Sequence, residues 1–439
     1  MAGPMRQTVL EGVPADTGLA LLRELVDEAV WLDRSPYLSH AFGTEDTGRW
    51  LRPAVLPRQT ARETADPVAG AGTGRRVALA PGPEHGPRAA EWARSHGHRL
   101  LSPAAGITAT AGDKIDALAL LAEAGVPVPE HVLVPATGRR GTAAYWPAPW
   151  KQAVLQRREN TLRGRGTVRV TSRPELTRAL CVWEGHRLKL SRLVPGLPLT
   201  VTGCAGGDRT VVSAVSHQLV GLPELTPHWG TPCGGQLAGP ADLPPGVHAA
   251  ARDAAHRVGE VLRGRGYRGV FGLDLVAEDG RVLAVEINPG FQTAVSLTHA
   301  AERAAGLLPV LGLHILAQLL PALPASRAVH GDLPPLSQIL VHARRAAGLG
   351  PDLPSPGRYR LTPHGPRPLA GSPPVTELAP GEALCWPRVV RGDGPVRTGD
   401  ELMLVQFNAR TVPLVPRPRL STAASGWATA INRALGAGR

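Results

Sequence analysis

Two carboxylates and an amide, Asp274, Glu286 and Asn288, fall within one short stretch, GYRGVFGLDLVAEDGRVLAVEINPGFQT from Gly266 to Thr293. Apolar runs from Gly269 to Ala277 and from Arg281 to Ile287 flank Glu278-Asp279-Gly280, and an Asp-Gly pair between two such runs predicts a β-hairpin. Asp274 then lies inside the first strand, while Glu286 and Asn288, one residue apart, share a face of the second. Carboxylates and an amide oxygen are the hard ligands that Mg²⁺ takes, with water and substrate phosphates completing its shell. The chemistry this points to is a nucleotide site. The competing reading is a pair of solvated acids at strand ends.

Several elements must bring phosphate-binding groups to that hairpin. Asp113 predicts the N-cap of a helix running to about Gly125, with Lys114 in its first turn and Leu118, Leu120 and Leu121 on its apolar face. A lysine there faces the positive end of the helix dipole; a bound anion relieves the conflict, and full solvation is the alternative. Two β-prone runs, Ala153–Gln156 and Thr167–Val170, bracket a loop holding Gly164-Arg165-Gly166-Thr167, whose glycines let backbone amides approach phosphate oxygens closely. Gln156 ends the first run, with Lys151 five residues earlier and Arg157 beside it. After a helix over Ser172–Val182, RLKLSRLVPGLPLTVTGCA reads as a hairpin turning at Pro195-Gly196. The strand Thr210–Leu219 carries His217 and Gln218, and a lone strand histidine is more often structural than functional. A helix over Pro245–Gly264 delivers the chain to the hairpin, and two helices follow it, the first over 293–306.

The flanking regions carry less chemistry. Residues Thr17 to Leu32 have apolar positions at helical spacing and predict one amphipathic helix. Arg58 to Arg76 is polar and Gly-rich, a linker or loose loop. Val77–Gly82, Pro87–His96 and Leu100–Pro103 alternate strand, helix, strand, as in a small α/β lobe, and the turn Pro81-Gly82-Pro83 lacks a dinucleotide glycine fingerprint. Beyond about Pro324 short β-prone runs (338–343, 358–361, 383–390, 401–407) alternate with Pro/Gly turns before a helix over Ser421–Leu435.

Composition sets outer limits. With 439 residues the chain needs more than one core, and 43% hydrophobic content suffices to build them. The net charge of +12 is nearly all arginine, since Lys114, Lys151 and Lys189 are the three lysines. Those arginines are spread along the chain, which argues against nucleic-acid binding and for anionic small molecules or an acidic partner. Cys181, Cys204, Cys233 and Cys385 show no metal or disulfide spacing, and neither a signal peptide nor an apolar run of membrane-spanning length is present. A soluble, cytoplasmic protein with no membrane association is expected.

Taken in order, these pieces resemble the ATP-grasp superfamily: the DK-helix-GVPVP opening, the loop around Gly164-Arg165-Gly166-Thr167, the run ending at Pro195-Gly196, and GLDLV followed by VEINP. The segment HQLVGLPELTPHWGTPCGGQ resembles the carboxylate ligases of natural-product pathways. The resemblance implies an α/β (α+β) chain with an N-terminal pre-ATP-grasp lobe over 1–110, an ATP-grasp domain over 111–323 and a β-rich C-terminal domain over 324–439. It implies ATP contacts from Lys114, Lys151, Gln156, Gly164, Gly166, Thr167, His217 and Gln218, an adenine-binding hinge at Ser191, Arg192, Leu193 and Val194, and Mg²⁺ on Asp274, Glu286 and Asn288. Relatives carry a lysine where this chain has Gln156, and an arginine where it has Gly290, so Gln156 and Arg268 become the candidate catalytic groups. The implied reaction converts a carboxylate to an acyl phosphate with release of ADP and joins it to an amine. Alternatives are thioester loading of an acyl carrier protein, non-catalytic nucleotide binding and, last, bicarbonate-dependent carboxylation. Relatives are often dimers, which makes a homodimer the expectation.

Overall fold

The computed structural model describes residues 7–33, 51–55, 75–80, 82, 86–136, 145–159, 166–350, 352–389, 394–414 and 419–434. The N-terminal lobe is built from β1 (Thr8–Gly12), α1 (Ala15–Leu25), β2 (Glu28–Asp33), β3 (Leu51–Val55), β4 (Arg76–Leu79), α2 (Gly86–Ser95) and β5 (Arg99–Leu101). Its parallel sheet has the order β3-β2-β4-β5. The helix expected over Thr17–Leu32 ends at Leu25, and its second half is β2. Val30, Trp31 and Leu32 are fully enclosed there, and a parallel strand buried on both faces reads as a continuous apolar run whose periodicity does not separate it from a helix. The expected linker falls mostly on residues 56–74, outside those described.

A second, small sheet follows α3 (Ala105–Gly112) and α4 (Ala117–Glu123). It comprises β6 (His131–Val134), β7 (Ala153–Arg157), β8 (Thr167–Val170) and β9 (Leu188–Arg192), in the order β6-β9-β7-β8, with α5 (Arg173–Val182) after β8. Ala153, Leu155, Leu188 and Leu190 form its apolar face and pack with Leu176 and Leu180 of α5. Alternation leaves Val154, Gln156, Lys189 and Ser191 on the opposite face.

The largest sheet contains β10 (Leu197–Ala205), β11 (Thr210–Val220), β12 (Pro232–Leu237) and, after α6 (Val247–Gly264), β13 (Gly269–Glu278) and β14 (Arg281–Asn288). Then come α7 (Val295–Ala304), α8 (Val310–Leu319), β15 (Arg327–His330), which pairs with β1, and β16 (Leu336–His342). The chain finishes through β17 (Gly357–Thr362), β18 (Gly365–Pro368), β19 (Glu382–Pro387), β20 (Glu401–Asn408) and α9 (Thr422–Arg433). The strand order is β14-β13-β10-β11-β12-β16-β20-β19-β17-β18, so the C-terminal strands prolong the same sheet through the β12–β16 pairing. One face packs on α6 through Leu199, Val201, Leu273 and Leu275; the other packs on α7, α8 and the N-terminal lobe. Among the described residues no helix is long and apolar enough to cross a membrane.

The run through Pro195-Gly196 is not a hairpin: β9 belongs to the small sheet and β10 to the large one. Residues 193–196 are the crossing between them. A side chain on Gly196 would run into the Ala277 carbonyl, which is why glycine stands at this crossing.

Candidate nucleotide and metal site

The β13–β14 hairpin turns on Asp279 and Gly280, both with positive φ (50° and 77°), the geometry that an Asp-Gly pair favours. Counting back from the Glu278–Arg281 pair, regular pairing would set Asp274 against Val285 and turn Glu286 to the α6 face. A register shift after Leu275–Ala284 makes Val285 the extra residue, so Asp274 pairs with Glu286 and Gly272 with Asn288. This bulge is what gathers the three metal-type ligands on one face. Asn288 Nδ2 donates to Asp274 Oδ2 at 3.1 Å, and Gln292 Nε2 donates to Oδ1 at 2.9 Å. Thr200, in register with Asp274, donates to Gln292 Oε1 at 3.0 Å. Burial and the neighbouring Glu286 push the Asp274 carboxyl above the usual range, against the bonds from Gln292, Thr200 and Asn288.

Lys114 reaches this face from the turn before α4. The helix expected from Asp113 begins at Ala117 with Asp116 at its N-cap, so Asp113 and Lys114 lie in the turn before it. There Asp113 Oδ1 accepts from the amides of Ile115 (2.9 Å) and Asp116 (3.0 Å), and Asp113 Oδ2 accepts from Arg158 at 2.7 Å. Burial alone would raise the Asp113 carboxyl; the bonds from Asp116, Arg158 and Ile115 outweigh it and hold it below the usual range. The Lys114 ammonium, 6% exposed, lies 3.1 Å from Glu286 Oε1.

Sequence reasoning gave no role to Lys189. It lies on β9, opposite Gln156 of β7, and is 5% exposed, with its ammonium 3.5 Å from the Val285 carbonyl at the bulge. Burial pulls this lysine down to about 8; Glu286 opposes the fall and Lys114 adds to it. Two of the three lysines therefore flank one carboxylate. The signal was available: a lysine between leucines in Leu188-Lys189-Leu190 is a charge on an otherwise apolar strand.

The remaining expected groups divide. Gln156 is buried beside Lys189, its Nε2 donating to Thr167 Oγ1 at 3.5 Å. The carbonyl of buried Gly166 accepts from Arg157 N at 2.8 Å, and Thr167 packs against Gly230 of the β11–β12 loop. Gly164 lies outside the described residues. At the crossing, Ser191 is buried, Arg192 grips Glu278 with two bonds (3.2 and 2.7 Å), and Leu193 N donates to Gln152 O, with Val194 beyond. Gln218 pairs with Gly235 two residues beyond Ser216, on the Asp274 face.

Three residues do not join the cluster. Exposed Lys151 precedes β7, at the far end from Gln156. Arg268 stands six residues before Asp274, roughly 20 Å along an extended strand, and donates to the carbonyls of Arg263 and Tyr267. His217 pairs with Leu199 and so faces α6, away from Asp274; it is fully buried, and burial pulls its imidazole down to about 4.

The donor set fits Mg²⁺: two carboxylates paired across strands, an amide beside them, and an ammonium already holding a cation's place at Glu286. The ATP-grasp domain family model matches residues 111–294. No curated protein matches the chain in sequence. Among solved structures, an ADP complex of N5-carboxyaminoimidazole ribonucleotide synthetase is similar at 13% identity and TM-score 0.58, over 92% of this chain and 97% of that one. Carboxyaminoimidazole ribonucleotide synthase from Aspergillus clavatus, complexed with ATP, gives 15% identity and TM-score 0.56 over 87% and 94%. Phosphoribosylamine–glycine ligase from Thermotoga maritima gives 16% and 0.55 over 87% and 93%. The chain has the ATP-grasp fold, and its residues 111–294 match the ATP-grasp domain family.

Proposed function

We propose that the protein is an ADP-forming ATP-grasp ligase that activates a carboxylate as an acyl phosphate and joins it to an amine. The observation that carries this is the convergence of Lys114 and Lys189 on Glu286, beside the Asp274–Asn288 pair. Two buried ammonium groups stand beside the two carboxylates Glu286 and Asp274, so the face offers cations to a polyphosphate and anions to the metal ion that accompanies it. Asp274, Glu286 and Asn288 would hold Mg²⁺, which would supply charge neutralisation for the polyphosphate.

Lys114 and Lys189 bind the phosphates, with Lys189 doing from β9 what a lysine at position 156 does in relatives. Gly166 and Thr167 stand over the phosphates, and residues 191–194 line the adenine edge. The carboxylate substrate attacks the γ-phosphorus, ADP leaves, and the amine then displaces phosphate from the acyl phosphate. No protein nucleophile is required; charge neutralisation and in-line positioning do the catalysis. The resemblance of the run from His217 to Gln236 to carboxylate ligases of natural-product pathways supports reading the reaction as one of natural-product biosynthesis. A net charge of +12 also suits an acidic carrier protein as the acceptor, through its thiol.

The test is product formation from Mg·ATP with pooled amino acids, small acids and amines, with ADP separated from AMP. ADP that appears only with particular acids supports the ligase, and ADP that requires a carrier protein moves the acceptor to a thiol. AMP would reject acyl-phosphate chemistry, and tight ATP binding without turnover under any acceptor would leave a nucleotide-binding protein.

A further inference from the structure

The large sheet carries a chain of buried polar side chains leading from its C-terminal strands to the metal ligands. Trp386 Nε1 on β19 donates to Gln406 Oε1 on β20 (2.7 Å), and Gln406 Nε2 donates to Gln338 Oε1 on β16 (3.2 Å). The same Gln338 oxygen accepts from Ser296 Oγ at 2.8 Å, and Gln338 Nε2 donates to the Thr293 carbonyl at 2.8 Å. Thr293 follows Gln292, the residue that holds Asp274 and takes the Thr200 hydroxyl.

This chain runs through the middle of an apolar face shared by Leu336, Leu340, Leu384 and Leu404, where packing alone asks for no amide. Its direction is what matters. It ends on the backbone of the segment that follows Asn288 and precedes α7. Gln292 has no slack to absorb a shift of that segment. A side chain on Gly272 would overlap the Gln292 amide oxygen, and the Val295 amide bonds the Gln292 carbonyl at 3.0 Å. A movement at Thr293 is therefore passed to Gln292 and on to Asp274.

We propose that Gln338 is a positioning residue: from the C-terminal part of the sheet it fixes Thr293 and Gln292, and so aims the Asp274 carboxylate at bound Mg·ATP. This rests on the nucleotide-site reading above and assigns the C-terminal strands a part in it. Such outer partners of ligating carboxylates govern metal affinity through orientation.

The experiment measures the affinity of the full chain for a non-hydrolysable ATP analogue by calorimetry, with and without Mg²⁺, alongside its melting temperature. Gln338→Met keeps the volume and removes all three side-chain hydrogen bonds. It is expected to lower the Mg²⁺-dependent gain in affinity about tenfold while leaving metal-free affinity near wild type. Leu340→Met, a core change on the same strand, is expected to lower the melting temperature without moving that gain. A Gln338→Met protein that loses affinity equally with and without Mg²⁺, or loses none, overturns the proposal. Should that variant not fold, Trp386→Phe deletes one N–H and keeps a ring. It is expected to shift the same gain in the same direction by a smaller factor, and an unchanged gain overturns the proposal. Wild-type protein that binds no Mg·ATP overturns the ligase reading itself and the proposal with it.

Discussion

At the scale of single residues, the electrostatics around Glu286 set the expectations. Glu286→Ala removes a metal ligand and the partner of Lys114, and it is predicted to abolish ADP formation while the circular dichroism spectrum stays native; wild-type turnover would remove Glu286 from the metal set. Lys189→Met should weaken ATP binding by about 10- to 100-fold, the range of one or two charge-assisted bonds. Because Gln156 and Lys189 are register partners, the exchange Gln156→Lys with Lys189→Gln should recover most of that loss in an equilibrium binding titration. The carboxylates were legible from the sequence because an Asp-Gly turn announces its own hairpin. The bulge that puts Glu286 on Asp274's face was not, since one extra residue in a strand leaves no mark in composition. Lys189 escaped for a related reason: its importance lies in a pairing between β7 and β9, and position in the chain says nothing about it. Arg268 failed the other way, being close in sequence and a strand's length away in space.

Elements fix how these groups are held. The crossing at Gly196 has no room for a methyl, so Gly196→Ala should cost about 1–3 kcal/mol in a urea melt, typical of overpacking, and should slow closure of the small sheet over the large one. Helix α7 is anchored by Glu302, whose carboxyl accepts from Ser213 Oγ (2.5 Å) on β11 and from the Val310 amide (2.7 Å) at the start of α8. Burial pushes Glu302 up to about 8, against both bonds. Its folded value therefore exceeds its unfolded one, and the native state holds the extra proton between roughly pH 4.5 and 8. Stability from this group is full below that window and declines through it as pH rises, by up to about 1.4 kcal/mol per pH unit. Glu302→Gln should flatten that decline in melts taken from pH 5 to 8.5, and an unchanged slope would show that Glu302 does not cause it. Most helices and strands were readable from period and turn chemistry, α5 with its Ser172 cap among them. Strand β2 was mistaken for helix because a fully buried run has no polar face to betray its period.

At the scale of the whole molecule, strand order was the least legible feature. Nothing in Pro-Cys-Gly-Gly-Gln-Leu of β12 indicates that its neighbour is β16, which follows only after three helices and three further strands. Yet that pairing makes the C-terminal strands part of the sheet that carries Asp274. A chain ending at residue 323 should therefore lose Mg²⁺-dependent nucleotide binding and self-associate on a sizing column, because it exposes the β12 edge and half of an apolar face. A monomeric, nucleotide-binding fragment would show instead that the two parts fold independently.

The same pairing sets a waiting time during synthesis. Strand β12 is complete at Leu237, but its partner begins at Leu336, and at about 5–20 residues per second the ribosome needs some 5–20 s to supply it. Through that interval the edge stays open to other nascent chains. A proline at its start and paired glycines at its centre make it a poor template for them, so the residues that weaken β12 as a strand also protect it until β16 arrives.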